Sequence, residues 1–236
     1  MILASLEVWH SRPIAPTRRV AVCDSVLPTD PAPGPGGLLL GATLARFAGD
    51  LDDDTRAEMR VLMREVERGQ RIGQPRLRYR LQQDRIGLSR STHRLVTGSA
   101  GLRFELETQN VTSTQSALAA VYACAQIPRS ERSDVMSVLR RGLEWVGPVG
   151  PGLIDHLVGA EVALRFRSGS FSTASDPMIW ALGVLGLEEG EESRPREIQR
   201  RYRRLLRDAH PDHGGGERDA AHRIAELSRA REILLP

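Results

Sequence analysis

Apolar residues near the amino terminus fall in two short runs, residues 2–9 and 19–23, parted by Pro13 and Pro16; run length and punctuation predict two short strands. Residues 28–37 carry four prolines and three glycines, which sustain neither a helix nor a ladder, so a loop or linker is expected there and helix only beyond it. Over residues 52–68 the acids come first and Met59, Leu62, Met63 and Val66 recur at helical spacing, predicting an amphipathic helix that Gly69 ends. Residues 76–81 alternate with period two, the pattern of a half-buried strand showing arginines to solvent or of an edge strand protected by charge. Residues 93–97 and 102–106 flank Gly98-Ser99-Ala100-Gly101 as the arms of a hairpin. Two helices follow over residues 116–126 and 131–145, separated by Pro128, the second gathering Val135, Met136, Val138, Leu139 and Leu143 on one face. After a glycine and proline cluster at 147–152 and a short apolar stretch at 153–158, the small polar residues around 168–176 read as a linker. No repeat at a fixed period is present. The pattern divides the chain into a small α+β domain over residues 1–167, a linker over 168–176 and an all-α domain over 177–236.

The last part is the most strongly periodic. Asp176-Pro177 supplies an N-cap followed by proline at the first helical position, and Ile179, Trp180, Leu182 and residues 184–187 make a short apolar helix ending near Gly186. Beyond an acidic loop at 188–192, a second helix opens at about 193–195 and runs to Asp208. Its apolar positions Ile198, Tyr202, Leu205, Leu206 and Ala209 lie at offsets 0, 4, 7, 8 and 11, one stripe of a 3.6-residue helix. The remaining faces hold Arg196, Arg200, Arg201, Arg203, Arg204 and Arg207 against Glu197, about +5, which calls for an acidic partner or for solvent. A third helix over 217–235 repeats the device with Ala221, Ile224, Leu227, Ala230, Ile233 and Leu234. Two such helices joined by a tight loop predict an antiparallel hairpin whose open side the first helix covers. The loop, His210-Pro211-Asp212-His213 and three glycines, cannot continue the helix at Pro211, so His210 and Asp212 are held at one tip.

Composition adds modest constraints. Hydrophobic residues at 40% and charged residues at 27% are those of a globular chain. All 33 basic residues are arginine, whose codons tolerate GC-rich DNA where lysine codons do not, pointing to a high-GC bacterial source. A net charge of +3 over 236 residues decides nothing about partners. Locally, residues 71–94 hold seven arginines against Asp84, a net of +6. That segment, with Tyr79 as a stacking group, is either a charged sheet face or a phosphate-binding surface for nucleic acid. Cys23 and Cys124 form no C-x-x-C pair and read as buried small hydrophobes. No basic leader precedes an apolar run and no stretch is long enough to span a membrane, so a cytoplasmic protein is expected.

Candidate chemistry concentrates at the loop. His210 could act as a general acid or base, although no nucleophile or paired carboxylate surrounds it; it could bind a metal with Asp212, His213 and His222, although that set is incomplete; or it is a structural loop residue. No phosphate loop, nucleophile elbow or metal-ligand cluster occurs elsewhere, so neither an enzyme nor a cofactor is expected.

The constellation resembles the J domain of the DnaJ family, known for a histidine-proline-aspartate tripeptide between its second and third helices. Leu185-Gly186 resembles the end of the family's first helix, Glu197-Ile198 and Tyr202-Arg203-Arg204-Leu205 its second-helix pattern, and Ile224, Leu227, Ala230 and Leu234 its third. Leu182, Ile224 and Arg231 depart from aromatic positions of the family, and His213 replaces its usual lysine. The resemblance covers residues 177–236 and implies a minimal J protein without the glycine/phenylalanine-rich and zinc-binding modules. It further implies a co-chaperone that docks on a DnaK-type heat-shock protein 70 chaperone and stimulates its ATP hydrolysis. His210, Pro211, Asp212, Tyr202, Arg200, Arg203, Arg204 and Arg207 would bind that partner, with the first domain choosing a client or a location. The competing expectation is a nucleic-acid-associated protein that uses residues 71–94 and carries the J domain as an accessory.

Overall fold

The two amino-terminal apolar runs form strands β1 (Ile2–His10) and β2 (Arg19–Val22), which pair antiparallel with Val8 opposite Val22 and His10 opposite Val20. The expected hairpin is also formed, by β4 (Ser89–Gly98) and β5 (Gly101–Leu106), and β4 runs antiparallel along β1 with Leu6 opposite His93. With the two-residue β3 (Arg80–Leu81), parallel to β2, they complete a five-stranded mixed sheet of order β3-β2-β1-β4-β5. This is a computed structural model; it describes residues 1–12, 18–98, 101–167, 177–187, 195–208 and 217–235. The linker at 168–176, the acidic loop at 188–192 and the turn residues 99–100 lie outside the described residues. The chain divides into two compact units, Met1–Ser170 and Phe171–Pro236, and its fold is α+β.

Alternation along β1 and β4 sends Ala4, Leu6, Val8 and His10, with Ser91, His93 and Leu95, to one face of the sheet, where all are buried. Helices α1 (Gly34–Ala48) and α3 (Ser113–Cys124) cover that face. Outside them lie α2 (Asp53–Glu67), α4 (Arg129–Glu144) and α5 (Pro151–Val158), followed by α6 (Ala160–Arg167). The side chain of Asp52 caps α2 by accepting the Thr55 N–H at 2.6 Å, and hydrogen bonding by Thr55, through its side chain first and its backbone N–H second, holds the carboxyl below the usual carboxylate range. At α3 a capping box joins Thr112 and Gln115, so the helix starts three residues before the apolar periodicity does.

Two expectations are corrected. The glycine-proline run at 28–37 is not loop throughout, because α1 begins inside it at Gly34. Glycines of that run serve packing rather than a linker: a Cβ on Gly36 would stand 2.6 Å from the Leu27 carbonyl carbon and one on Gly37 2.8 Å from Pro33 Cβ, and just beyond the run one on Gly41 would stand 2.6 Å from Val138 Cγ1 of α4. Residues 76–81 likewise do not form a continuous strand. Leu77 (φ +49°) and Arg78 (φ +66°) are left-handed, and Arg76 and Tyr79 exchange N–H···O bonds of 2.8 and 2.7 Å, so the segment turns back on itself. Two side-chain ties hold the turn, Arg76 to Glu65 at 2.5 Å and the Tyr79 hydroxyl to Thr112 Oγ1 at 3.0 Å. Period-two patterning does not see those partners.

One buried cation organises the outer helices. Arg132 of α4, 8% exposed, donates to the carbonyls of Ala125 and Ile127 at 2.7 and 2.9 Å and to that of Val66 at 3.4 Å. It thereby satisfies the ends of α3 and α2 together. Replacing it with alanine leaves buried carbonyls unpaired, and Arg132→Ala should lower the unfolding free energy of this unit by about 2 kcal/mol in urea titrations.

The second unit consists of α7 (Pro177–Leu185), α8 (Pro195–Asp208) and α9 (Glu217–Leu234). α7 ends at Gly186 (φ +62°), which lets the Leu187 N–H reach back to the Leu182 carbonyl at 2.8 Å and returns Leu187 to the core. Ala181, Leu182, Leu185, Leu187, Ile198, Leu227, Ala230 and Leu234 form that core. Leu182 and Leu227, aliphatic throughout, fill it without the family's aromatic at position 182. Among the described residues no helix is long and apolar enough to cross a membrane.

Candidate functional site

The apolar stripe of α8 fixes which way its arginines point. Ile198 is buried, and Tyr202 and Leu205 pack against the same core, so the helix turns that side inward. Arg196, Arg200, Arg203 and Arg207, at offsets 0, 4, 7 and 11, therefore share the opposite side, and all four are exposed; Arg204 is exposed beside them. Counting Asp208 as well as Glu197, six arginines against two acids leave the helix at +4. Arg200 donates to Glu197 Oε1 at 2.9 Å, Arg201 Nε stands 3.5 Å from the same oxygen, and the hydrogen bond from Arg200 holds the Glu197 carboxyl below its usual range. Among the described residues Arg196, Arg203, Arg204 and Arg207 have no acidic partner. With Gln199, Arg200 and Arg201 they border a shallow open depression along the helix. Such a surface suits a carboxylate-bearing macromolecule, since guanidinium groups bind carboxylates in pairs of parallel hydrogen bonds.

Tyr202 occupies a different place from those arginines. It is half-buried in the hairpin, its hydroxyl 3.3 Å from Ser228 Oγ of α9 and its ring under the Arg231 guanidinium at 5.4 Å. Arg231, which stands where the family commonly has tyrosine, thus covers the ring from the other helix. Neither Ser228 nor Arg231 is conspicuous in the sequence, because a polar residue opposite a half-buried tyrosine leaves no periodic signal. His210, Pro211 and Asp212 lie outside the described residues, as do Ala209 and His213.

The arginines of residues 71–94 are partly neutralised. Arg76 pairs with Glu65, Arg85 with Asp24 at 2.7 Å and Arg90 with Glu7 at 3.5 Å, which halves the segment's +6. Arg85 and Arg90 also lie over the Trp9 ring, at 5.3 and 6.0 Å from its centroid. Tyr79 is 5% exposed, so its ring is not available to stack on a base. Cys124 is buried and its thiol is pushed up to about 12 by burial, which leaves it unreactive at neutral pH, while Cys23 stays a free thiol at intermediate exposure. Among the described residues no group of three or more histidine, cysteine, aspartate or glutamate side chains is placed to hold a metal.

Beneath the sheet, His10 and His93 are both buried, a pair the strand pattern did not single out. His10 Nε2 lies 3.0 Å from Ser91 Oγ, whereas neither ring nitrogen of His93 has a hydrogen-bond partner among the described residues. Phe47 packs on the His93 ring with centroids 5.7 Å apart. Burial, and the neighbouring His10, lower His93 to about 4.

Residues 182–235 match the family model of the DnaJ domain. Comparison with curated proteins and with solved structures found no match.

Proposed function

From the DnaJ domain at residues 182–235, which implies a heat-shock protein 70 partner in general, we propose that this chain is a co-chaperone that docks on a DnaK-type chaperone and accelerates its ATP hydrolysis. The observation that carries the reading is the outward arginine side of α8, free of acidic partners among the described residues over Arg203, Arg204 and Arg207. Arg200, Arg203, Arg204 and Arg207 meet an acidic surface of the chaperone. His210, Pro211 and Asp212, which follow α8 in the sequence, act together with those arginines, and Tyr202 holds α8 on α9. Exposed ion pairs contribute about 0.2 to 1 kcal/mol each, so several in parallel give a weak, fast and salt-sensitive encounter, as a partner that must be released and reused requires. No catalytic role and no cofactor is assigned to the chain itself. The first unit selects a client or a location.

Steady-state ATP hydrolysis by a purified DnaK-type chaperone, with the full chain added, tests this. Stimulation should fall as salt rises, His210→Gln should abolish it with the helical content unchanged, and the pair Arg203→Glu and Arg207→Glu should raise the half-maximal concentration about tenfold. A His210→Gln chain that stimulates as the parent does would sink the reading.

A further inference from the structure

β5 lies at the end of the sheet, and among the described residues no strand pairs with its far side. An edge strand aims every second N–H and C=O away from its sheet, and proteins commonly blunt such an edge with charge, a bulge or proline. β5 has a different character. Its residues Leu102-Arg103-Phe104-Glu105-Leu106 are palindromic in chemistry about Phe104: apolar at both ends and the centre, with opposite charges at the two flanking positions.

The sheet register says which side each residue takes. Leu102, Phe104 and Leu106 pair with Thr97, Leu95 and His93 of β4, and Leu95 and His93 face the buried side, so the three apolar residues face it too. They are only half-buried there, and α6 nearby leaves Leu164 62% exposed. Arg103 and Glu105 face outward, joined to each other at 2.6 Å, and Glu105 sits opposite Arg94 of β4.

We infer that the β5 edge is a self-complementary interface through which two copies of this chain pair antiparallel about Phe104. A two-fold axis there sets Leu102 against the partner's Leu106 and Phe104 against its own copy, extending the apolar side of the sheet. On the outer side it sets Arg103 against the partner's Glu105 twice over, so Glu105 lies between its own Arg94 and the incoming arginine. Such an isologous contact closes on itself and uses up the β5 edge of both copies. Charge selects the occupant: a second β5 meets each charge with its opposite, and cross-strand pairs of opposite sign favour pairing while like charges directly opposite oppose it. One six-residue strand is a small contact beside the roughly 2,000 Å² or more of an obligate dimer, so the equilibrium should lie in the micromolar range or weaker.

Light scattering on the full chain over a concentration series up to about 100 µM should show a reversible dimer. Arg103→Glu and Glu105→Arg each convert both outer pairs to like charges, and each variant alone should dissociate about tenfold more readily. An equimolar mixture of the two variants should associate again, because each charge then faces its opposite across the axis. Both positions face outward at the edge, so unchanged thermal melts will separate loss of pairing from loss of fold. A chain that stays monomeric throughout overturns the inference, as does a dimer indifferent to the charge variants singly and mixed. An extended peptide that binds the β5 edge of a monomeric chain would assign the edge to a client strand and would equally overturn it.

Discussion

Gly142→Val should remove about 4 kcal/mol from the unfolding free energy of the amino-terminal unit, a large fraction of the roughly 5 to 15 kcal/mol of an ordinary domain, while the carboxyl-terminal unit keeps its helices. Gly142 lies on α4 where that helix crosses α1, and a Cβ there would fall inside contact distance of the Gly41 carbonyl oxygen, a backbone atom that no rotamer change can move. Gly41 has the reciprocal problem, with Val138 Cγ1 and Leu157 Cδ2 at 2.6 and 3.2 Å from the position its own Cβ would take. A side chain at either position forces the helices apart. Every buried residue of α1 then loses contacts, and 14 of its 15 residues are buried. Calorimetry should resolve an early transition for the first unit and an unshifted one for the second, which has its own core. If the proposed chaperone ATPase stimulation persists in the same variant above the melting point of its first unit, the second unit acts without a folded first one.

Acidification should also act on the first unit, through His93. The ring is fully buried, its nitrogens have no partner among the described residues, and its pKa is lowered to about 4 from 6.5. As pH falls, the unfolded chain takes up this proton first. The contribution is therefore fully present above about pH 6.5 and is lost as pH falls toward 4. Over that window the linkage amounts to about 3 kcal/mol. His10, lowered chiefly by burial, acts in the same direction. Urea unfolding at a series of pH values between about 7.5 and 4.5 should show the decline. His93→Phe should flatten it without loss of stability at neutral pH, since the substitution removes two unpaired polar atoms and keeps a ring against Phe47. An unchanged slope in that variant would assign the acid sensitivity to other groups.

Legibility followed amphipathicity. α8 was plain because its apolar stripe and its arginines occupy opposite sides, which also made its cationic side readable from the sequence. α2 and α4 were plain for the same reason, each burying one row of Met, Val and Leu. α1 was not, because it lies between the sheet and α4 and has no polar side to alternate with its apolar one. Its glycines, useful for close approach, resemble loop punctuation when read without a neighbour. The turn at 76–79 misled in the opposite sense: alternating arginine and apolar residues mimic a strand, but Glu65 and Thr112, distant in sequence, hold the segment folded back.

Composition and periodicity were thus sufficient for the order of elements around the hairpins, the amphipathic helices and the cationic side of the second unit, since each depends on neighbours within a few positions. What required the folded chain was every feature made by residues far apart: the crossing at Gly41 and Gly142, the carbonyls gathered by Arg132, the burial of His93 under α1 and the end position of β5. Those depend on which elements become neighbours. A local pattern carries that information only where one side of an element faces water, and at the centre of this unit none does.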